Sequence, residues 1–188
     1  MEERFSHLLF RTSLAGCLLG IVATVYFLAG LAGFVGDLWL NGLVVAALTA
    51  GTIFFFHAFL ANLRGTNWLG RALAITILTV IAIEAVLSFV PPTARDELTH
   101  HLAIPKLYSR AGRIIAVPFA PYSYYPMLLD MLYTPWVVWG VDSVPKLVHA
   151  LFGYFTGLSL FAYLSRRMNA VYGYLGFFLF ISIPVVLR

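Results

Sequence analysis

Apolar residues in this chain come in long unbroken runs, not in strand-like alternation or the one-sided stripe of a soluble helix. One run extends from about Thr12 to Val35, a second from about Leu38 to Ala61 and a third from about Trp68 to Val90. Two more extend from about Val144 to Ser165 and from about Asn169 to Leu187. Runs of roughly 19–24 residues approach or reach the length a helix needs to cross about 30 Å of hydrocarbon. The pattern predicts an all-α polytopic transmembrane helix bundle with about five spans. Composition agrees, because 61% of the 188 residues are hydrophobic and only 11% are charged. Soluble domains carry about 25% charged residues, and a chain of this size could not hide so much apolar surface from water.

The pattern breaks after the third run. Residues 91–126 are rich in charge and proline and contain no spanning run. Loops of this length in compact proteins usually carry function. From about Asp96 to Ala111, Leu98, Leu102, Leu107 and Tyr108 fall near helical spacing with charged groups between them, which predicts an amphipathic helix at the interface. Pro105 should kink or restart it. The stretch Val117 to Pro126 is aromatic and proline-rich, and its tyrosines suit the headgroup zone. Residues 127–140 are apolar but short, with Asp130 and Pro135 inside, as in a re-entrant or surface helix.

Arginine placement arbitrates the topology. If Arg4, Arg11, Arg64 and Arg71 are cytoplasmic, the third span exits to the far side, and residues 91–143 form a long outer loop. Arg166 and Arg167 then return to the cytoplasm only if 127–140 does not cross, as the positive-inside rule favours. The expected organisation is a two-span amino-terminal extension, residues 1–67, followed by a membrane domain that starts at 68 and breaks off at 188. The expected location is a bacterial inner membrane, with the loop on the periplasmic side.

Charge and cysteine narrow the classes. The net charge of +4 comes mostly from arginine, which in such a chain marks topology first. The single Cys17 implies neither a disulfide framework nor a cysteine metal site. No glycine-rich phosphate loop, zinc spacing or nucleic-acid patch appears. Gly16 with Gly20, and Gly153 with Gly157, form GxxxG pairs that can let another helix approach closely. His57 and His149, single histidines on apolar helices, are expected in buried hydrogen-bonded roles. Glu84, an acid inside the third span, should face the bundle interior, either bonded to a neighbouring helix or on an ion or substrate path.

The candidate chemistry lies in the loop. Asp96 and Glu97 follow a span immediately, and His100 and His101 come one turn later. At helical spacing Asp96 shares a face with His100, and Glu97 with His101. A carboxylate and an imidazole on one face can act as base and orienter, or as two ligands of a divalent metal. A plainer reading is also open: Thr93 to Asp96 matches a capping box, in which the acid covers a free backbone N–H. Lys106, Arg110 and Arg113 could meet phosphates, or snorkel at the interface. Asp130 could line the same cavity as Asp96, or answer the dipole at a helix start. The aromatic run from Tyr122 to Tyr125 could stack on a sugar ring, or form an interfacial belt.

Asp96-Glu97 after a span, the segment from His100 to Tyr108, Tyr125-Pro126-Met127-Leu128 opening a short apolar helix, and a span ending in Arg166-Arg167 recur in that order in a known class. Over residues 68–188 the chain resembles the GT-C polytopic glycosyltransferases, which include protein O-mannosyltransferases and the lipid A aminoarabinose transferase. The resemblance implies transfer of a sugar from a polyprenyl-phosphate-linked donor to an acceptor at the outer membrane face. It implies Asp96 as catalytic acid, either as general base or through a divalent metal it helps to hold, with Glu97 in support. It implies substrate contacts from the loop, for which His100, His101, Lys106, Arg110, Tyr124, Tyr125 and Asp130 are the candidates. The class has about a dozen spans, so this stretch would hold half a site and be inactive by itself. Sugar and acceptor stay open. The competing readings are a non-catalytic membrane scaffold or assembly subunit, and a transporter fragment using Glu84 and His57. Few polar groups near the midplane weigh against the transporter.

Overall fold

The computed structural model describes residues 2–63, 66–92, 95–124 and 127–183. These residues form helices and no strand. In chain order the helices are α1 (Glu2–Leu31), α2 (Leu38–Leu63), α3 (Trp68–Leu87), α4 (Ala103–Ala111), α5 (Leu128–Val138), α6 (Val144–Arg167) and α7 (Ala170–Ile181). Four stretches, Glu3–Leu31, Leu38–Leu63, Trp68–Leu87 and Val144–Arg167, are long and apolar enough to cross a membrane. The chain is therefore a membrane protein of the helical class. α5 and α7 are shorter, at 11 and 12 residues, or about 16–18 Å at 1.5 Å per residue. The expected end of the fifth span, Leu187, and Arg188 lie outside the described residues, as do Arg64 and the Thr93 of the proposed capping box.

Local chemistry starts and stops these helices. The Asp37 carboxylate accepts the Leu40 N–H at 2.8 Å at the head of α2, and Asn67 accepts from Gly70 at 3.0 Å at the head of α3. The Asn169 side chain accepts from Val171 and Tyr172 at the head of α7. Each satisfies an N–H that has no partner within its own helix. α4 ends at Gly112, which takes the left-handed conformation (φ +66°) open to glycine without strain. Pro105 lies in the first turn of α4, where its missing N–H costs nothing. The helical segment thus restarts there, as its proline suggested.

The contacts divide the chain into two compact regions, one of Met1–Cys17, Ala50–Leu87 and Ala150–Arg188, the other of Leu18–Thr49 and Ser88–His149. The first has an aromatic core. Phe161 and Tyr174 lie 4.5 Å apart by ring centroid, and Phe55, Phe59 and Phe177 pack around them. Glycines make this closeness possible. A Cβ on Gly173 would meet Ser165 Oγ and, at 2.7 Å, the Phe161 carbonyl oxygen, while one on Gly157 would strike the Phe177 ring. The Tyr154 hydroxyl donates a hydrogen bond to Glu84, so this span acid is bonded to a neighbouring helix. By contrast, a Cβ on Gly16 or Gly20 meets nothing within 4 Å. Close helix approach therefore occurs along α6 and α7, not at the first GxxxG.

In the second region the turn between α1 and α2 closes on a buried network. The Tyr26 hydroxyl bonds to Val35 O at 3.0 Å and Asn41 Oδ1 at 2.8 Å. The Ile114 N–H donates to Gly30 O at 2.9 Å, and the Ile114 side chain fills the space a Cβ on Gly30 would need. α4 packs on α5, burying Ile104 and Tyr108 on one helix and Met131, Leu132 and Val137 on the other.

Candidate functional site

The chain leaves α3 and forms a π-helical turn over Glu97–His101, closed by a hydrogen bond from the Leu102 N–H to Glu97 O at 3.0 Å. Such turns are rare and occur often at functional sites. The extra residue in the turn shifts the two histidines relative to regular spacing. His100 Nε2 lies 3.9 Å from Asp96 Oδ1, beyond hydrogen-bond reach. His101 does not meet Glu97. Its Nδ1 lies 2.7 Å from Oδ1 of Asp130, 29 residues along the chain in α5.

The four carboxylates of this segment have four different settings. The Asp96 side chain is 82% exposed and makes no cap hydrogen bond. The capping box itself depends on Thr93, which lies outside the described residues. Glu97 is mostly covered, with Oε1 3.5 Å from Lys146 Nζ. Lys146 also donates to Val90 O at 2.7 Å, so one ammonium ties the turn to the backbone that precedes it. Asp142 pairs with Lys106 at 2.5 Å. Asp130 is buried, and its carboxylate is 4% exposed. A buried charge needs a partner, and His101 supplies it from a half-exposed position.

The surroundings of Asp130 complete the arrangement. Tyr133 sits one turn on, with its ring centroid 6.3 Å from that of His101, and its hydroxyl hydrogen-bonds with His149 Nδ1 at 3.3 Å. The bond from Asp130 raises the pKa of His101 above the usual histidine value. Burial pulls it down, but less strongly, and the charges of Asp130, Asp96 and Glu97 push it up again. Burial, with a smaller contribution from the Asp130 charge, raises the phenols of Tyr108 and Tyr133, so both stay protonated. The result is a carboxylate–imidazole pair walled by two neutral phenols, beside an open carboxylate.

Several expected residues lie elsewhere. Arg110, Arg113 and Tyr124 are exposed. Lys106 is spent on Asp142. Tyr125, and the side chain of Tyr122, lie outside the described residues. His57 and His149 were expected to be buried, but both are exposed, His149 while bonded to Tyr133. The reason is helix phase: each falls on the outer side of its own helix, next to residues that face inward. Among the described residues no group of three or more His, Cys, Asp or Glu side chains is arranged to hold a metal ion. Sequence reasoning missed Lys146, Tyr133 and Asp142. A usable signal was present in the i, i+3 pairs Asp130 with Tyr133 and Lys146 with His149, each of which shares a helix face.

No protein-family model, curated protein or solved structure matches this chain.

Proposed function

We propose that this chain is the acid-bearing part of a membrane glycosyltransferase, moving a sugar from a polyprenyl-phosphate-linked donor to a hydroxyl acceptor at the outer membrane face. The observation that carries the reading is Asp96. Of the four carboxylates in its segment, it alone is both open to solvent and free of a tight partner, and in sequence it stands nine residues past the end of α3. A base that must meet an incoming hydroxyl needs that openness. A lipid carrier presents its phosphate at the membrane boundary, where a charged segment next in sequence to an apolar span is expected to lie. Arg4, Arg11, Arg71, Arg166 and Arg167 mark the opposite, cytoplasmic side. In this topology α5 lies at the surface or re-enters, and the loop 91–143 faces the periplasm of a bacterial inner membrane.

In the transfer, the acceptor oxygen bonds to the anomeric carbon as the bond from that carbon to the phosphate oxygen breaks. The bonding pair leaves with the phosphate, and the acceptor proton passes to Asp96. The test is the release of polyprenyl phosphate from sugar-loaded carrier by membranes containing the whole transferase of which this chain is the proposed part. Asp96→Asn should lower the rate by about 10²–10⁴-fold, the usual worth of a positioned base. Unchanged release by that variant, or cysteine labelling that reaches position 96 from the cytosolic side, would overturn the reading. Complementation by Asp96→Ala at the wild-type level would favour the scaffold instead.

A further inference from the structure

The pair His101–Asp130 does work that an acceptor-activating base does not need. We propose that His101, as an imidazolium oriented by buried Asp130, binds the phosphate of the lipid carrier through its Nε2–H. This deepens the reading above and rests on it for the identity of the carrier.

The geometry directs the imidazole. Nδ1 is committed inward to a carboxylate at 2.7 Å, and Nε2 is the nitrogen left for a ligand. Half of the side chain is exposed, which leaves room for a ligand at the ring. A histidine bonded through one nitrogen to a carboxylate favours its charged form, with both nitrogens as donors. Donors of this kind form the shorter, stronger hydrogen bonds to phosphate oxygens.

Among the described residues, the groups facing the ring come from four elements. From α5 come Asp130 and Tyr133, from α4 Tyr108, and from the start of α6 His149 through Tyr133. Its own turn brings Asp96, Glu97 and His100. The acids among them raise the pKa of His101, and two do not oppose a bound anion strongly. Glu97 is balanced by Lys146, and Asp130 by His101 itself. Between residues 88 and 149, five cations (Arg95, Lys106, Arg110, Arg113, Lys146) stand against four carboxylates. Charging His101 raises this surplus to two, so the segment is positive when a phosphate arrives. When the sugar leaves, the phosphate oxygen gains charge, and the Nε2–H strengthens its bond to it or passes its proton over.

A headgroup lipid could offer the same chemistry, so the experiment separates the sources. The protein is placed in phosphatidylcholine nanodiscs, and binding of undecaprenyl phosphate and of phosphatidic acid is titrated from pH 5.5 to 8.5. Wild-type protein should bind undecaprenyl phosphate more tightly than phosphatidic acid. His101→Gln and Asp130→Asn should each weaken undecaprenyl phosphate binding about tenfold near pH 6.5. The ligand titrates near pH 6 itself, so the readout is the ratio of wild-type to His101→Gln affinity. That ratio should fall toward one as pH rises through the raised pKa of His101. His101→Lys should keep binding across the range, which guards against mere misfolding. Loss of transfer in Asp96→Asn is read by carrier release and loss of binding in His101→Gln by this titration, so the two are separate failures. A His101→Gln affinity equal to wild type at every pH would overturn the site. Equal binding of both lipids, lost together in His101→Gln, would overturn the carrier assignment alone.

Discussion

Each of the two regions holds a carboxylate by a hydrogen bond from a distant residue, half-buried Glu84 in one and buried Asp130 in the other, and the two are held in different ways. In the aromatic region Glu84, inside a span, receives a hydrogen bond from Tyr154. In the other, Asp130 receives its bond from His101, which carries charge readily. A phenol satisfies an acid's lone pair without bringing a charge into hydrocarbon, where charge is expensive. An imidazole at a half-wet boundary brings one, and its outer nitrogen remains available. The first arrangement suits helix packing and the second suits binding. The partner, a phenol in one case and an imidazole in the other, decides this.

The largest expected effect tests whether the aromatic region depends on close packing. Gly173→Ala puts a methyl against the Phe161 carbonyl oxygen, a backbone atom that cannot swing aside. The expected cost is about 2–3 kcal/mol, at the upper end for overpacking, read as earlier unfolding in detergent. Loss of a few tenths would mean that α6 and α7 are not so tightly joined. The same change at Gly16, where nothing lies within 4 Å, should be silent by this measure.

Next comes the pair at the boundary. Asp130→Asn removes the ionic part of its bond to His101 and should cost about 1–2 kcal/mol, less than a fully buried pair because the imidazole can rehydrate. The sign with pH follows from the raised pKa of His101. Its ionic contribution is complete below the ordinary histidine value of about 6.5 and is lost as pH rises through the higher folded value. The stability gap between wild type and Asp130→Asn should therefore be widest in mild acid and shrink in mild base. A gap that widened with pH would show that the pair is not ionic.

The smallest effect is expected at Glu84. Glu84→Gln keeps an oxygen that can accept from Tyr154, so stability should change by less than about 1 kcal/mol. Glu84→Leu strands the Tyr154 hydroxyl and should cost more, about 1–3 kcal/mol. If Gln were as damaging as Leu, Glu84 would be acting through its charge, and the contrast between the two acids would fail.

Much of the architecture was legible along the chain. The long runs before Val90 and the one ending at Arg166 became four helices of membrane-crossing length, because lipid acts on each residue's transfer free energy almost independently of its neighbours. The restart of the helix at Pro105 is local as well, since it depends on atoms within one turn. The site was legible only as a list of residue types. Regular helical spacing joined His101 to Glu97, but the π turn moved it away, and a residue 29 positions later took its place. Lys146 passed unnoticed because it acts on Glu97 only once α6 has returned. Hydropathy is a property of single residues and was settled by the sequence. Which acid stays open at Asp96 and which is sealed at Asp130 depends on distances between segments far apart in the chain, and only the folded chain decided that.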